Sequence, residues 1–491
     1  MGRIMAIDQG TSSSRAIVFD LDGRVLGADQ RAFDMQFPRS GWVEQDPEVL
    51  WRTTLEAGRG ALRAAGLEGS DIAAIGITNQ RETTLVWDRD TGECVHPAIV
   101  WQDRRTAGRC EAMRRDGLED LVARETGLVI DPYFSGTKLA WLLDEVDGVR
   151  RRAERGELAF GTVDTFLIWR LTGGAVHATD ATNASRTLLF DIGLQAWSAE
   201  LTEYLSVPES LLPEVRDSAG AFGLARAEWF GAEIPVFGVA GDQQAALVGQ
   251  ACFAPGMSKS TYGTGCFAMT NTGERQLESR HRLLSTVAYR IDGRTTYALE
   301  GSIFSAGVAV KWLRDGLGLI RSAAETEACA RACDGDTGGV YLVPAFTGLG
   351  APHWNPDARG TLVGLTLDTS RDQLVTATLA SVAYQTEELL TAMAADGAPV
   401  ERLRVDGGMV VNDWLCQFLA DVVHCTVERP VITETTALGA AILAAAGAGL
   451  VGSLEEAARL WHLDQEFRPG MREVTRQQLL SGWKRAVARA L

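Results

Sequence analysis

The residues best suited to chemistry follow two apolar stretches of the chain. In "IGITNQRETT" (75–84), an uncharged run is followed by Arg81 and Glu82, and in "AGDQQ" an apolar run is followed by Asp242 and Gln243. A guanidinium only donates hydrogen bonds, a carboxylate only accepts them, and an amide does both. These types suit a small ligand with several hydroxyl groups. A carboxylate among them suits phosphoryl transfer to an alcohol, which needs a group that accepts the hydroxyl proton.

Each of these groups also has a purely structural interpretation. A polar cluster at a strand end can be a solvated turn, and Asp242 can cap the helix that follows it, since Asp is favoured there. Neighbouring residues of a strand point to opposite faces, so Arg81 and Glu82 reach one ligand only if the strand ends before them. The uncharged run at 72–78 predicts a strand that is buried on both faces and ends there.

A glycine-containing hairpin near the start of the chain predicts a phosphate-binding turn. Residues 4–20 consist of an apolar run, the turn "DQGTSSSR" and a second apolar run. Gly10 lets the backbone approach a ligand, and backbone N–H groups and hydroxyls can bind phosphate oxygens. Arg15 can pair with a phosphate, and Asp8 is a hard oxygen ligand for Mg²⁺. A polar hairpin without a ligand explains this stretch equally well.

A second hairpin with the same layout occupies residues 257–270, "MSKSTYGTGCFAMT". Two such turns that face each other across a cleft would form a nucleotide clamp. Other phosphate loops find little support in the sequence. The pattern GxxxxGK[ST] is absent, and "GTGCFA" at 263–268 fits only a loose GxGxxA without a clear βαβ frame.

Length and composition restrict the class of protein. A chain of 491 residues is too long for one core, which predicts two large domains or three. A net charge of −17 argues against non-specific binding to nucleic acid or anionic membranes. Eight scattered cysteines without CxxC or zinc spacing predict free thiols in a reducing compartment. With no signal peptide apparent in "MGRIMAIDQG", we expect a cytoplasmic protein without stable membrane insertion.

Strands and helices alternate along the chain, which predicts α/β domains. We place the domain boundary so that the N-terminal domain covers 1–250 and the C-terminal domain 251–491. The Ala- and Gly-rich run at 437–454 predicts a close-packed buried helix rather than a membrane span. Segment 403–421 predicts a strand, a Gly-Gly turn and an amphipathic helix whose apolar face includes Val411. The C-terminal stretch beyond these segments predicts helices.

Six segments occur in the order typical of the FGGY carbohydrate kinases, and the chain resembles that family from about residue 4 to about residue 450. They are "DQGTSSSR", "GITNQRETT", "VWQDRR", "AGDQQAALVGQ", "TYGTGCF" and "RVDGGMVVN". Within the family, "NQRETT" resembles the glycerol kinases rather than kinases for pentoses or gluconate. The resemblance implies an α/β fold of two actin-like (ribonuclease-H-like) domains with an ATP/substrate cleft between them. It implies ATP-dependent phosphorylation of glycerol to sn-glycerol 3-phosphate with Mg²⁺, the first step of glycerol catabolism.

The same resemblance implies a role for individual residues by motif match. The glycerol hydroxyls would be held by Arg81, Glu82, Tyr133, Asp242 and Gln243. The carbon chain would lie against Trp101 and Phe267, and the catalytic base would be Asp242. The metal would be held by Asp8 and Asp242. The nucleotide site would be lined by Thr11, Ser12, Ser13, Arg15, Thr264, Gly307, Gly408 and Asn412. The N-terminal domain would bind glycerol and phosphate and the C-terminal domain the nucleotide, and we expect a homo-oligomer, either a dimer or a tetramer.

Several points stay open at the level of sequence. Tyr133, Trp101 and Phe267 can each belong to the core alone. Lys311 stands where a glutamine often lies near the nucleotide, and it either contacts the nucleotide or is solvated. Glu233, in "WFGAEIPV", falls where many bacterial relatives carry the arginine of a loop that binds fructose 1,6-bisphosphate. A carboxylate repels a bisphosphate, so we expect this inhibition to be weak or missing.

Some relatives are activated by phosphorylation of a histidine in this region. No histidine lies between His177 and His281, so we do not expect this activation here.

Two alternative functions remain at this stage. One is a kinase of the same family that acts on another polyol or sugar. The other is a non-catalytic, actin-like ATP-binding protein, in which the hydroxyl-binding residues would have no purpose.

Overall fold

A computed structural model describes residues 2–355 and 357–491 and contains a large mixed β-sheet in each half of the chain. In the N-terminal half the strands are β1 (Arg3–Gln9), β2 (Ser13–Asp20), β3 (Val25–Ala32), β4 (Glu44–Gln45), β5 (Ala74–Asn79), β6 (Leu85–Asp88), β7 (Ala98–Ile99), β8 (Leu158–Gly161), β9 (Ala178–Asp180), β10 (Phe190–Asp191), β11 (Ala196–Trp197), β12 (Glu214–Arg216), β13 (Leu224–Ala225) and β14 (Ile234–Gly241). The helices of this half are α1 (Pro47–Ala65), α2 (Ala107–Arg115), α3 (Glu119–Thr126), α4 (Ser135–Glu145), α5 (Val149–Glu154), α6 (Val163–Leu171), α7 (Ala181–Ala184), α8 (Ala199–Tyr204), α9 (Ala227–Phe230) and α10 (Asp242–Gly249).

The C-terminal half has the same mixture of elements. Its strands are β15 (Ser258–Tyr262), β16 (Cys266–Gly273), β17 (Leu284–Ile291), β18 (Arg294–Ile303), β19 (Tyr341–Val343), β20 (Thr361–Val363), β21 (Arg402–Asp406), β22 (Thr426–Pro430) and β23 (Leu463–Phe467). Its helices are α11 (Gly307–Lys311), α12 (Glu325–Ala332), α13 (Arg371–Ala395), α14 (Asp413–Val423), α15 (Thr435–Gly447), α16 (Leu454–Ala457) and α17 (Glu473–Ala490).

The N-terminal sheet has the strand order β13-β14-β5-β1-β2-β3. Strands β1, β2 and β3 pair antiparallel, whereas β1 and β14 pair parallel to the central strand β5, which is wholly buried. Asp8 is level with Thr78, and Gly241 is level with Asn79. The carboxyl ends of parallel strands meet at one edge of a sheet, where ligands bind in open α/β folds. Asp8, the residues after Asn79, and the start of α10 therefore lie at that edge.

The C-terminal sheet repeats this plan, with the order β17-β18-β16-β15-β21-β22-β23. Strands β15, β16, β18 and β17 pair antiparallel, and β21 and β22 continue the sheet parallel to β15. The two predicted hairpins are thus confirmed as β1–β2 and β15–β16. Because "GTGCFA" forms the turn of an antiparallel hairpin, it is not part of a βαβ unit.

Helix α15 belongs to the C-terminal half of the chain but packs against the sheet of the N-terminal half. A Cβ atom on Gly76 of β5 would lie 2.1 Å from the carbonyl oxygen of Ala440. Helices α10 and α15 also cross at glycines, since a Cβ on Gly439 would lie 1.8 Å from the carbonyl oxygen of Ala245. The predicted buried helix is confirmed for residues 437–447, but it ends at Gly447, so the prediction is wrong for the partly exposed residues 448–453. In the described part of the chain, no helix is long and apolar enough to cross a membrane.

Two expectations about the C-terminal half are wrong. Val411 lies before α14, whose N-cap is Asn412, and its side chain is 72% exposed rather than on the apolar face. The C-terminal stretch is not only helical, because β23 pairs antiparallel with β22 at the edge of the sheet. Its sequence, "LDQEF", lacks the apolar run that would have marked a strand. The domain division at residue 250 stays a prediction, and α15 packs across it.

We expect Gly439→Ala to lower the free energy of unfolding by about 1–3 kcal/mol, the usual cost of overpacking a close contact. The added methyl group would collide with the backbone of α10, which has little room to move. Urea unfolding followed by circular dichroism measures the change. The control is Gly108→Ala in α2, where a Cβ meets open space, so stability should stay the same or rise by up to about 1 kcal/mol. Equal midpoints for Gly439→Ala and the unmodified protein would contradict this helix contact.

Candidate active site

The backbone turns sharply at Glu82, directly after strand β5. The N–H of Thr83 donates to the carbonyl oxygen of Arg81 over 2.7 Å, and Glu82 between them has a φ of 61°. Such left-handed conformations cost about 1–3 kcal/mol in a residue with a side chain. The hydroxyls of Ser135 and Thr84 hold the turn by donating to the Glu82 carbonyl over 2.9 and 3.0 Å. The chain has therefore left the strand before Arg81, as predicted.

Arg81 and Glu82 belong to a buried network of alternating charges. Arg81 donates to both carboxylate oxygens of Glu300, over 2.5 and 3.1 Å. Arg186 donates to Glu300 over 2.9 Å and to Glu82 over 2.7 Å. The four side chains are at most 2% exposed. Glu300 lies on β18 of the C-terminal sheet, so the network joins the two halves of the chain.

The two carboxylates of this network differ in how firmly they are ionised. Burial raises the pKa of Glu300, but the positive charges of Arg186 and Arg81 outweigh it and lower the pKa to about 2. Burial also raises the pKa of Glu82, and here the attraction of Arg186 and Arg81 does not fully compensate. Glu300 is thus the carboxylate that anchors both guanidinium groups.

Asp242 extends the network towards solvent. Its Oδ1 lies 3.1 Å from Nε of Arg81, and its side chain is 32% exposed. Asp242 is the first residue of α10, and its Oδ1 accepts from the N–H of Gln243 over 2.7 Å. The N-cap position of this helix belongs to Gly241, so the capping interpretation of Asp242 is wrong. Asp242 therefore offers a partly open carboxylate beside the buried network of charges.

Aromatic side chains surround the same network. Trp101 donates from Nε1 to the hydroxyl of Thr11 over 3.0 Å, and its ring meets the ring of Tyr133 edge to face at 5.5 Å. The ring of Phe267 lies 5.9 Å from the guanidinium carbon of Arg81. All three aromatic residues are half-buried rather than core residues. The structure thus brings together the residues that the family resemblance implied for the substrate pocket.

Gln243, the last residue of that predicted set, contacts a buried lysine. Its side chain is 6% exposed, and its Oε1 accepts a hydrogen bond from Nζ of Lys259 on β15. The same Nζ donates to the carbonyl oxygen of Phe267 over 3.3 Å. Gln243 and Phe267 therefore lie on either side of one buried cation.

The residues predicted for phosphate binding in the first hairpin occupy its turn and the start of β2. The N–H of Gly10 donates to the carbonyl of Ser13 over 2.9 Å, which closes the turn. Ser12 is exposed and Thr11 half-buried. Arg15 already has partners, since it pairs with Glu434 and donates to Gln30 over 2.9 Å. The hydroxyl of Ser13 accepts from the same Gln30 over 2.7 Å.

The predicted nucleotide residues of the C-terminal half lie around the second hairpin. The N–H of Gly307, at the start of α11, donates to the carbonyl of Gly263 over 3.0 Å. The carbonyl of Thr264 accepts from Val308 over 3.1 Å. The turn that contains Gly408 lies beside them, because the N–H of Met409 donates to Tyr262 over 3.3 Å.

Two other predicted nucleotide residues are placed differently. Asn412 uses its side chain within the fold, accepting from the N–H of Leu415 over 2.9 Å and donating to the hydroxyl of Thr326 over 3.2 Å. Lys311 is exposed at the end of α11, and its role stays a prediction. Glu233 is exposed in the loop after α9, and the expected lack of bisphosphate inhibition also stays a prediction.

Asp8 and Asp242 are the carboxylates suited to a metal ion. Burial and the negative charges of Asp242 and Glu434 together raise the pKa of Asp8 to about 7, although Arg15 acts to lower it. A cation between the two carboxylates would relieve this repulsion. Among the described residues, no group of three or more His, Cys, Asp or Glu side chains could hold a metal ion by itself. Mg²⁺ is usually held by one or two carboxylates together with substrate phosphates.

Three residues of the site were missed by the sequence analysis: Glu300, Arg186 and Lys259. Each is a lone charged residue in a mainly apolar or hydroxyl-rich segment, and Lys259, although it lies in the hairpin at 257–270, comes before the turn that was predicted to bind phosphate. Charged residues are almost never fully buried unless they are paired. A single glutamate inside the apolar strand "TYALEGSI" was the available signal, but it did not identify the partner.

We expect Glu300→Gln to lower the free energy of unfolding by about 3–5 kcal/mol, because it removes the carboxylate that accepts from both buried guanidinium groups. Urea unfolding measures the loss. The control is Glu327→Gln, since the pair of Glu327 with Arg331 is exposed and should contribute at most about 1 kcal/mol. Equal effects of the two substitutions would contradict the role of the network.

The same variant should change the pH dependence of stability. The pKa of Glu300 is lowered from 4.5 to about 2 in the folded state. The contribution of ionised Glu300 to the free energy of unfolding is therefore complete above pH 4.5 and is lost as the pH falls towards 2. Glu300→Gln should weaken the decline in stability over this acidic range.

Comparison with known proteins agrees with the geometry of the site. The N-terminal domain of the FGGY family of carbohydrate kinases matches residues 3–249, and the C-terminal domain of that family matches residues 259–448. The chain is 61% identical to a glycerol kinase of Rhodospirillum centenum over 486 residues, which cover 99% of this chain and 97% of the relative. It is 60% identical to glycerol kinase 1 of Pseudomonas aeruginosa, with coverage of 99% and 98%.

Solved structures show the same relationship. The structure of Plasmodium falciparum glycerol kinase with ADP superposes with a TM-score of 0.93 at 34% identity, covering 100% of this chain and 98% of that one. A ligand-bound xylulose kinase of Lactobacillus acidophilus shares the fold, with a TM-score of 0.89 at 20% identity and coverage of 99% and 97%. The family models match both halves of the chain. This chain therefore belongs to the FGGY family of carbohydrate kinases.

Proposed function

We propose that this protein transfers the terminal phosphoryl group of ATP to glycerol and forms sn-glycerol 3-phosphate. The observation that carries the proposal is the contact of Asp242 with Arg81, which places a partly open carboxylate beside a buried guanidinium that Glu300 holds in place. The full-length similarity to glycerol kinases supports glycerol as the substrate. We also propose that the reaction takes place in the cytoplasm, that the protein is a homo-oligomer, and that the chain divides into 1–250 and 251–491.

In the proposed mechanism, Asp242 accepts the proton of a terminal hydroxyl as that oxygen attacks the phosphoryl group. A general base must lie within hydrogen-bonding distance of the hydroxyl, and the partly exposed carboxylate of Asp242 is accessible to a ligand. Arg81 and Gln243 orient the substrate from one side and Glu82 from the other. Because these groups would lose hydrogen bonds to a substrate that lacks a hydroxyl, the pocket would reject such analogues.

The nucleotide is proposed to lie between the two hairpin turns, with backbone N–H groups directed at its phosphates. Asp8 and Asp242 would hold Mg²⁺, which neutralises charge on the phosphates when it is bound. Closure of the two halves around the substrates would exclude water, which would otherwise accept the phosphoryl group. Asp8 and Arg15 lie on neighbouring strands at the same level, where they can act on the same phosphates.

An ADP-release assay with Mg-ATP tests the function. The substrates are glycerol, erythritol, xylulose, gluconate and dihydroxyacetone, and mass spectrometry identifies the product. Glycerol 3-phosphate as the main product supports the proposal. Preference for another polyol would retain the mechanism but refute the substrate, and absence of turnover with all five would favour a non-catalytic nucleotide-binding protein.

We expect Asp242→Asn to lower kcat by about 10²–10⁴-fold, the usual effect of removing a general base. The amide keeps the size of the side chain but cannot accept the proton. Single-turnover measurements at saturating glycerol and ATP report the chemical step. A kcat within a factor of about three of the unmodified protein would remove Asp242 from this role.

We expect Arg81→Lys to raise KM for glycerol by about 10-fold or more and to leave KM for ATP unchanged. Lysine keeps the charge but lacks the planar fork that contacts Glu300 and Asp242 together. Arg314→Lys is the control, because that arginine is exposed and pairs with its neighbour Asp315. If instead the affinity for ATP fell selectively, Arg81 would not belong to the glycerol pocket.

A further inference from the structure

Lys259 is a buried cation that the proposed mechanism does not use. Its side chain is fully buried on β15, between the two halves of the chain. In the described part of the chain, no carboxylate lies within ion-pair distance of Nζ. Nζ instead donates to Oε1 of Gln243, to the hydroxyl of Thr261 over 3.0 Å, and to the carbonyl of Phe267 over 3.3 Å. Burial lowers the pKa of Lys259, whereas the negative charges of Asp406, Asp242 and Glu300 favour its charged form.

The contact with Lys259 determines the orientation of the Gln243 side chain. An amide carries an acceptor oxygen and a donor nitrogen that can exchange places by rotation of the group. An ammonium group can only donate, so Oε1 must face Lys259. The nitrogen Nε2 is then the atom of this amide that remains for a ligand. Without a fixed neighbour, the Gln243 amide could donate to a ligand or accept from it. Beside Lys259 it offers the ligand a donor.

We infer that Lys259 is a positioning residue for substrate selection: it orients the Gln243 amide so that Nε2 donates to a hydroxyl oxygen of the substrate. The inference rests on the proposed function, because it takes the substrate to be glycerol. Lys259 also binds the carbonyl of Phe267, so one cation aligns two residues of the proposed pocket, one on α10 and one on β16. The substrate itself does not touch Lys259 in this arrangement.

Two substitutions of Gln243 test which atom the substrate uses. Gln243→Glu keeps an oxygen for Lys259 but replaces the donor nitrogen with an acceptor, whereas Gln243→Ala removes both. If Nε2 is the contact, both variants should raise KM for glycerol by about 10-fold, the usual scale for one lost hydrogen bond with an unpaired partner. Retention of the original KM by Gln243→Glu would overturn the inference. This pair does not depend on the folding of any Lys259 variant.

A double-mutant cycle tests the action of Lys259 through Gln243. Lys259→Met keeps the length and most of the volume of the side chain but cannot hold the amide. Alone it should raise KM for glycerol by about 10-fold, and in the Gln243→Ala background it should change KM by less than about twofold. KM for ATP should stay the same in all variants. An equal effect of Lys259→Met in both backgrounds would identify a purely structural role and overturn the inference.

The matched control is Gln385→Ala, which removes a similarly buried amide outside the proposed pocket. Its KM for glycerol should equal that of the unmodified protein. If the unmodified protein does not phosphorylate glycerol, the proposed function fails and the inference fails with it. If it does phosphorylate glycerol and Lys259→Met leaves KM unchanged, the inference alone is overturned.

Discussion

The site depends on the hydrogen bonds that two buried guanidinium groups donate to two buried carboxylates. Removing four charges from water is costly, and such a network is stable only if each charge has opposite partners in good geometry. Glu300 meets this condition because it accepts from both Arg81 and Arg186. Since Glu300 lies on the C-terminal sheet and the two arginines lie in the N-terminal half, the same interactions hold together the two halves of the chain.

The network also explains why a strained backbone conformation persists at Glu82. A left-handed residue next to a buried strand would normally relax, but here the Glu82 side chain is held by Arg186 and its carbonyl by two hydroxyls. The turn also directs the oppositely charged side chains of Arg81 and Glu82 to the same side of the backbone. Arg81 can then reach Asp242 and Glu300 together, which a continuous strand would prevent.

Local patterns predicted the parts of this structure that depend on local interactions. Strand β5, both hairpins and helix α15 follow from runs of apolar residues and the turns between them, and short motifs carried the family resemblance. Long-range contacts could not be predicted in this way. Arg81 and Glu300 are 219 residues apart, and no periodicity links them. Val411 fitted the apolar period of α14, but the cap at Asn412 starts the helix after it, so capping outweighed periodicity.

The solvent exposure of each side chain in the site agrees with the role proposed for it. Groups that only orient a ligand gain from complete burial, because a dry environment strengthens their hydrogen bonds and fixes their geometry. Arg81, Glu82 and Lys259 are of this kind. A group that exchanges a proton with the substrate must stay accessible, and Asp242 is the member of the cluster that remains open. The pairing of Asp242 with a buried guanidinium then holds its side chain in place, so that Arg81 orients the base without occupying the space of the ligand.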